Sequence, residues 1–199
     1  MKGNYMGTEK MSLKILKPLA WIVGIAVLYF SGMFQYASSM AQGAVIRSGL
    51  VNASTNNNSR EVFDFDFTIK DLTGKKIDFI SLKGKVIFLN LWATWCGPCR
   101  SEMPAIQELY NGINKEKIVF VMLSVDKDEH MARVKSYVQS QSYNLPVFMP
   151  SGYLAKQLQV PSIPTTFVIA KDGTIALKEV GMKNYNTAKF KKYLEGLAN

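Results

Sequence analysis

Residues 92–100 read Trp92-Ala93-Thr94-Trp95-Cys96-Gly97-Pro98-Cys99-Arg100, and they hold the only two cysteines of the 199-residue chain. Two thiols with two residues between them admit few uses. A structural zinc or iron–sulfur site needs about four ligands. The chain offers these two cysteines and one histidine, His130, far away on an expected helix. Neither a metal nor any cofactor is therefore expected. A purely structural cross-link is also a poor use, because closing so short a loop removes little entropy from the unfolded chain. Reversible dithiol–disulfide chemistry is left.

The flanking residues fit that chemistry. Val86 to Trp92 is an almost unbroken apolar run, as expected of a strand buried on both faces. Pro98 suits the first turn of a helix, where its missing N–H costs nothing. The helix is expected from about Pro98 to Tyr110, stopped by Asn111-Gly112. Cys96 then falls at the helix N-terminus, where unpaired N–H groups and the dipole favour a thiolate. Gly97 allows a sharp turn and leaves room for a partner. Cys99 lies inside the first turn, behind Cys96. The division points to Cys96 as the attacking thiolate, Cys99 as the resolving thiol, and a Cys96–Cys99 disulfide as the oxidised product.

Outward from this motif, the chain alternates strand and helix patterns. Phe63, Phe65 and Phe67 alternate with Asp64, Asp66 and Thr68, a strand period. Asp71-Leu72-Thr73-Gly74-Lys75 is turn chemistry before a short strand at Ile77 to Ile80. Ile118 to Val125 is a second buried strand. Asp128 to Gln141 reads as a helix, followed by a short strand at Pro146 to Met149 and a helical turn near Tyr153 to Leu158. Thr165 to Ala170 and Thr174 to Val180 form a hairpin through Lys171-Asp172-Gly173. Thr187 to Leu197 closes the chain as a helix. The expected fold class is α/β, a mixed sheet flanked by helices with an N-terminal β-hairpin extension.

Formal charge is +9, and residues 1–17 carry Lys2, Lys10, Lys14 and Lys17 against Glu9 alone. The remainder is mildly basic with alternating signs and shows no basic stripe interleaved with aromatics, so nucleic acid is not an expected partner. After the lysines, Pro18 to Ala37 contains no charged residue. As a helix rising ~1.5 Å per residue it is roughly 30 Å long, the thickness of a bilayer core. The expectation is a basic cytoplasmic tail (1–17), a transmembrane anchor (18–37), a polar linker (38–61) and a compact domain (62–199) outside the cytoplasm. A cleavable signal peptide ending near Ser39-Met40-Ala41 is the alternative. Both readings export the domain to a compartment that permits disulfides.

Trp95-Cys96-Gly97-Pro98-Cys99 after a buried strand resembles the thioredoxin active site. Ile163-Pro164-Thr165 resembles the cis-proline loop of that superfamily, and Pro104 matches its active-site-helix proline. With the anchor, the opening hairpin and Phe88 to Trp95, the chain resembles the membrane-anchored TlpA/ResA-like branch over residues 62–197. The resemblance implies a cis Pro164 beside the cysteines. It also implies that Ile163 offers backbone to substrate and that Trp95, with Gly97 and Pro98, forms the contact surface. Classical thioredoxins carry a buried Asp where this chain has Asn90. Glu102, one helical turn after Cys99, is a feature of the TlpA/ResA-like branch; it is either a proton acceptor for Cys99 or an exposed helix glutamate. The implied activity is reduction of disulfides in exported proteins, such as apocytochrome c, with re-reduction by a membrane electron-donor protein. Rival readings are an exported oxidant, a thiol peroxidase and, outside enzymes, a copper-binding chaperone.

Overall fold

The computed structural model describes residues 9–30, 41, 44–46, 48–55 and 61–199. The chain divides into two compact units, Met1–Met40 and Ala41–Asn199. In the first, helix α1 covers Glu9–Phe30 with Pro18 inside it. The helix reaches back beyond the uncharged run that begins at Pro18, since the Lys, Leu and Met residues before it are good helix formers. Trp21, Ile22, Val23, Ile25, Val27 and Tyr29 on this helix are all exposed. No helix among the described residues is long and apolar enough to cross a membrane. Residues 31–37 of the expected span lie outside the described residues.

The second unit is built on a seven-stranded sheet. Its strands are β1 Thr68–Asp71, β2 Lys76–Asp78, β3 Val86–Trp92, β4 Ile118–Ser124, β5 Val147–Pro150, β6 Thr165–Ile169 and β7 Ile175–Val180. Their spatial order is β2-β1-β5-β4-β3-β6-β7. β3 and β4 pair in parallel, as do β4 and β5. β6 runs antiparallel to β3, and β1 antiparallel to β5, so the sheet is mixed. The helices are α2 Gly97–Asn111, α3 Met131–Ser140 and α4 Ala188–Ala198. The stretch Asp128–His130 is a separate 3-10 turn leading into α3.

β3 is buried at all seven positions because apolar groups cover both faces of the sheet. Phe88 and Trp92 belong to one apolar cluster, with Met103 and Ile106 of α2, Val134 of α3 and Phe190 of α4. Ile87, Leu89 and Leu91 belong to the other, with Phe63, Phe65, Phe67, Phe79 and Leu158. The Phe63-Phe65-Phe67 alternation is correct in burial but not in pairing. These rings are buried while Asp64 and Asp66 are exposed, yet the ladder begins only at Thr68. The rings pack on Phe79, with Phe67 stacked at 4.4 Å between centroids. Period-2 burial here comes from an extended segment lying on the sheet, not from a strand within it.

The expected linker is corrected too. Within it, Ile46 and Ala53 are buried, and Asn52 bridges to Asn184. The polar composition of 48–59 invites reading it as free chain, but its backbone N–H and C=O groups can pair like any others. Residues 38–40, 42–43, 47 and 56–60 of that linker lie outside the described residues.

Candidate active site

Three chain segments meet at the cysteines: the end of β3, the start of α2 and the loop before β6. Cys96 caps α2 with an extended backbone (φ −84°, ψ 105°), and its Sγ accepts from the Cys99 N–H at 3.2 Å. This is one of the orphan donors that a helix N-terminus leaves unpaired. Cys96 and Cys99 are joined as a disulfide. Pro98 lies in the first turn and is exposed, whereas Cys99 is fully buried. Trp95 is 64% exposed, so its ring lies on the surface and not in the core.

Gly97 takes a different role from the one its type first implies. It has no positive φ and begins the helix. A Cβ built there meets nothing within 4 Å. Backbone freedom is thus not what this position requires; what it leaves is open space beside the disulfide.

The Ile163–Pro164 peptide bond is cis. The Ile163 carbonyl oxygen lies 3.8 Å from Cys96 Sγ, and the Pro164 carbonyl accepts from the Gly181 N–H at 2.8 Å. Pro164 is buried and Ile163 half-buried, so the loop presents Ile163 backbone next to the outer sulfur.

Glu102 is completely buried, which removes the exposed-helix alternative. Its Oε1 accepts from Asn90 Nδ2 at 2.8 Å, and its Oε2 accepts from the Lys183 N–H at 3.1 Å. Asn90 also donates to Thr166 Oγ1 at 2.9 Å. Burial raises the Glu102 carboxyl from 4.5 to about 8, against the lowering pull of the Lys183 N–H and the Asn90 amide.

A second buried network was not anticipated. The Thr94 N–H and hydroxyl donate to the two oxygens of Asp126 at 2.8 and 2.7 Å, and the Ser124 hydroxyl donates to Asp126 at 2.7 Å. Asp126 thereby ties the end of β4 to the turn that carries Cys96. The available signal was a lone carboxylate directly after the apolar strand 118–125. Asn90 and the backbone of Lys183 were also missed as carboxylate partners; the latter carries no side-chain signal at all. His130 sits away from this network, with Nε2 3.7 Å from a Glu129 carboxylate oxygen.

A disulfide whose outer sulfur caps a helix beside an exposed tryptophan, whose inner sulfur is fully buried, and which lies next to the Ile163 backbone defines a dithiol–disulfide exchanger on a thioredoxin-like sheet. Residues 64–178 match the model of the AhpC/TSA family, and the chain belongs to that family. It is 40% identical over 132 residues to the thiol-disulfide oxidoreductase ResA of a Bacillus cereus strain, covering 66% of this chain and 72% of the relative. It is 32% identical over 111 residues to the ResA of Bacillus subtilis (strain 168), covering 55% of this chain and 61% of that one. Among solved structures, a thiol:disulfide interchange protein of the thioredoxin family from Chlorobium tepidum TLS matches with a TM-score of 0.57 and 28% identity, over 72% of this chain and all of that one (100%). The chain is a ResA-like thiol–disulfide oxidoreductase.

Proposed function

We propose that this enzyme is held in a membrane by residues 18–37, faces an oxidising compartment, and reduces disulfides in exported proteins, apocytochrome c among them. The observation that carries the reading is the asymmetry of the pair: Cys96 lies beside exposed Trp95 and open space at Gly97, whereas Cys99 is fully buried, as is Glu102 three residues further along the same helix. In the reduced enzyme the Cys96 thiolate attacks a substrate disulfide. A Cys96–substrate disulfide forms, and the other substrate sulfur leaves as a thiolate that takes up a proton. Cys99 passes its proton to the Glu102 carboxylate and attacks Cys96 Sγ. The Cys96–Cys99 disulfide forms and the second substrate thiolate leaves. Two electrons have moved to the substrate, and a membrane electron-donor protein restores the dithiol by the same exchange.

Glu102 suits this role because a carboxyl raised to about 8 is close to an ordinary thiol near ~8.5, so the proton moves between them at little cost. Ile163 and Pro164 supply backbone against which an extended substrate segment pairs as an added strand. Trp95, Gly97 and Pro98 supply the contact surface around the sulfur. The exposed apolar side chains of α1 support the anchor. Of the rivals, the peroxidase wants a threonine directed at its cysteine, and here the Thr94 hydroxyl donates to Asp126. The copper chaperone wants a wider cysteine spacing than Cys96–Cys99 and a later histidine ligand, and no histidine follows His130.

Parallel assays separate these activities. Turnover with a reduced electron source and a protein disulfide, with negligible turnover of peroxide and no copper retained by the reduced pair, is the expected result. Peroxide turnover exceeding disulfide reduction would overturn the reductase reading.

A further inference from the structure

The stretch read from sequence as free linker holds one residue from three directions. The Asn184 N–H donates to the Val51 carbonyl at 2.8 Å, and the Asn184 carbonyl accepts from the Ala53 N–H at 3.1 Å. Asn184 Nδ2 donates to the Ile46 carbonyl at 3.3 Å. Next along, the Ser54 N–H donates to Glu179 Oε1 at 2.8 Å, and the other Glu179 oxygen lies 3.7 Å from Lys183 Nζ. Ile46 and Ala53 are 3% and 8% exposed, and Ala53 belongs to the same apolar cluster as Cys96, Cys99 and Tyr185. The residue immediately before Asn184 is Lys183, whose N–H holds Glu102.

We propose that Ile46 and residues 48–54 are a positioning strap for the active site: by pinning Asn184 they fix the 183–184 backbone, and with it the N–H that holds the Glu102 carboxylate. The inference rests on the reading of Glu102 as the proton acceptor for Cys99.

The physical reason lies in which groups can steady Glu102. From β3 it meets the neutral amide of Asn90, which also donates to Thr166 of β6. On its own helix Cys99 precedes it by three residues and is joined to Cys96 as a disulfide. From the loop after β7 come Lys183 and Tyr185; the Lys183 ammonium is directed to Glu179, and burial, followed by the Glu102 charge, pushes the Tyr185 hydroxyl well above its usual range. Of the two hydrogen-bond donors to the carboxylate among the described residues, the Lys183 N–H is therefore the one that comes from an irregular loop. A loop holds a donor in place only as well as its own backbone is held. Asn184 has both its main-chain groups satisfied by the strap, and a displaced strap returns them to solvent. Ile46 and residues 48–54 thus form part of the catalytic unit.

The test uses the full-length chain carrying Ala53→Arg, which cannot be buried where Ala53 is, and separately the milder Ile46→Ala. Two readouts are taken: amide exchange at Lys183 and Asn184, and the pH midpoint of single-turnover disulfide reduction. Exchange at both amides is expected to accelerate. The midpoint is expected to move up by about one unit, the pKa equivalent of one charge-assisted hydrogen bond lost from the ionised carboxylate. Faster exchange with an unchanged or lower midpoint overturns the strap. Unchanged exchange at Asn184 in both variants overturns it as well. Should Ala53→Arg fail to fold, Ile46→Ala alone decides, with the same two outcomes at smaller amplitude. Glu102→Gln with the strap intact is run beside them. A pH profile that this variant leaves unaltered overturns the Glu102 reading itself, while amide exchange still reports whether the strap pins the loop.

Discussion

Glu102→Gln removes a titrating carboxyl from the interior while keeping its shape, and its effect on stability follows from linkage. Folding raises the Glu102 pKa from 4.5 to about 8, with burial as the main cause. Between those values the folded protein keeps a proton that the unfolded chain releases. The contribution of this group is fully present below pH 4.5 and is lost as pH rises through about 8. At roughly 1.4 kcal/mol per unit, the complete loss is about 5 kcal/mol, of which about 3 kcal/mol has gone by pH 7. These figures are upper bounds, since local opening of the 181–186 loop relieves a buried charge. In the variant, the glutamine amide can still meet Asn90, whose Oδ1 lacks a hydrogen-bond partner among the described residues and becomes available if that amide turns over. Wild type and Glu102→Gln are therefore expected to differ by no more than about 1 kcal/mol at pH 4.5, the worth of one neutral hydrogen bond. The variant becomes progressively the more stable one towards pH 9. Denaturant unfolding of the oxidised proteins at several pH values reads this directly. Parallel stability curves for the two proteins would refute the argument, because they would mean that Glu102 ionises in the fold as readily as in water.

Cys99→Ser is expected to accumulate a mixed disulfide between Cys96 and a substrate, while Cys96→Ser accumulates little; non-reducing electrophoresis after acid quench shows which sulfur attacks, and the reverse pattern would exchange the two roles. The Cys96/Cys99 couple is expected nearer the thioredoxin potential of roughly −270 mV than the ~−120 mV of a strong oxidant, since Gly-Pro between the cysteines resembles reducing members of the superfamily. Equilibration with dithiothreitol or glutathione buffers measures it, and a value near the oxidant end would make the enzyme a disulfide donor. Asp126→Ala is expected to lose three hydrogen bonds that hold the Thr94 turn, destabilising the domain by about 1–3 kcal/mol and slowing reduction by way of Cys96 placement. Unfolding and rate measured together check this, and an unchanged rate with lowered stability would limit Asp126 to a structural role. A reporter fused after Asn199 is expected to be active only outside the cytoplasm; activity inside would remove the exported topology.

The redox motif, the two buried parallel strands, the closing hairpin and the helix starting beside Cys96 were legible in sequence because each depends on local chemistry. Apolar runs report burial, turn residues report reversals, and a proline after the first cysteine reports a helix start. Cys96 as the outer sulfur and Cys99 as the inner one follow from their places in one helical turn. The state of Glu102 was not legible, because a glutamate on a helix becomes buried or exposed according to what lies across from it. Here that is Asn90 on β3 and the backbone of Lys183, 81 residues further on. The docking of Ile46 and residues 48–54 was hidden for a related reason: main-chain pairing with Asn184 leaves no pattern in side-chain polarity. The Phe63-Phe65-Phe67 stretch displays the same division. Its alternation determined which side chains go inside, but only the assembled sheet decided that the Phe63 ring would pack on Phe79 and Phe167 while the strand itself begins at Thr68. Hydrogen-bond partners that are distant in sequence are chosen when the layers close over one another, and residue type alone carries no record of that choice.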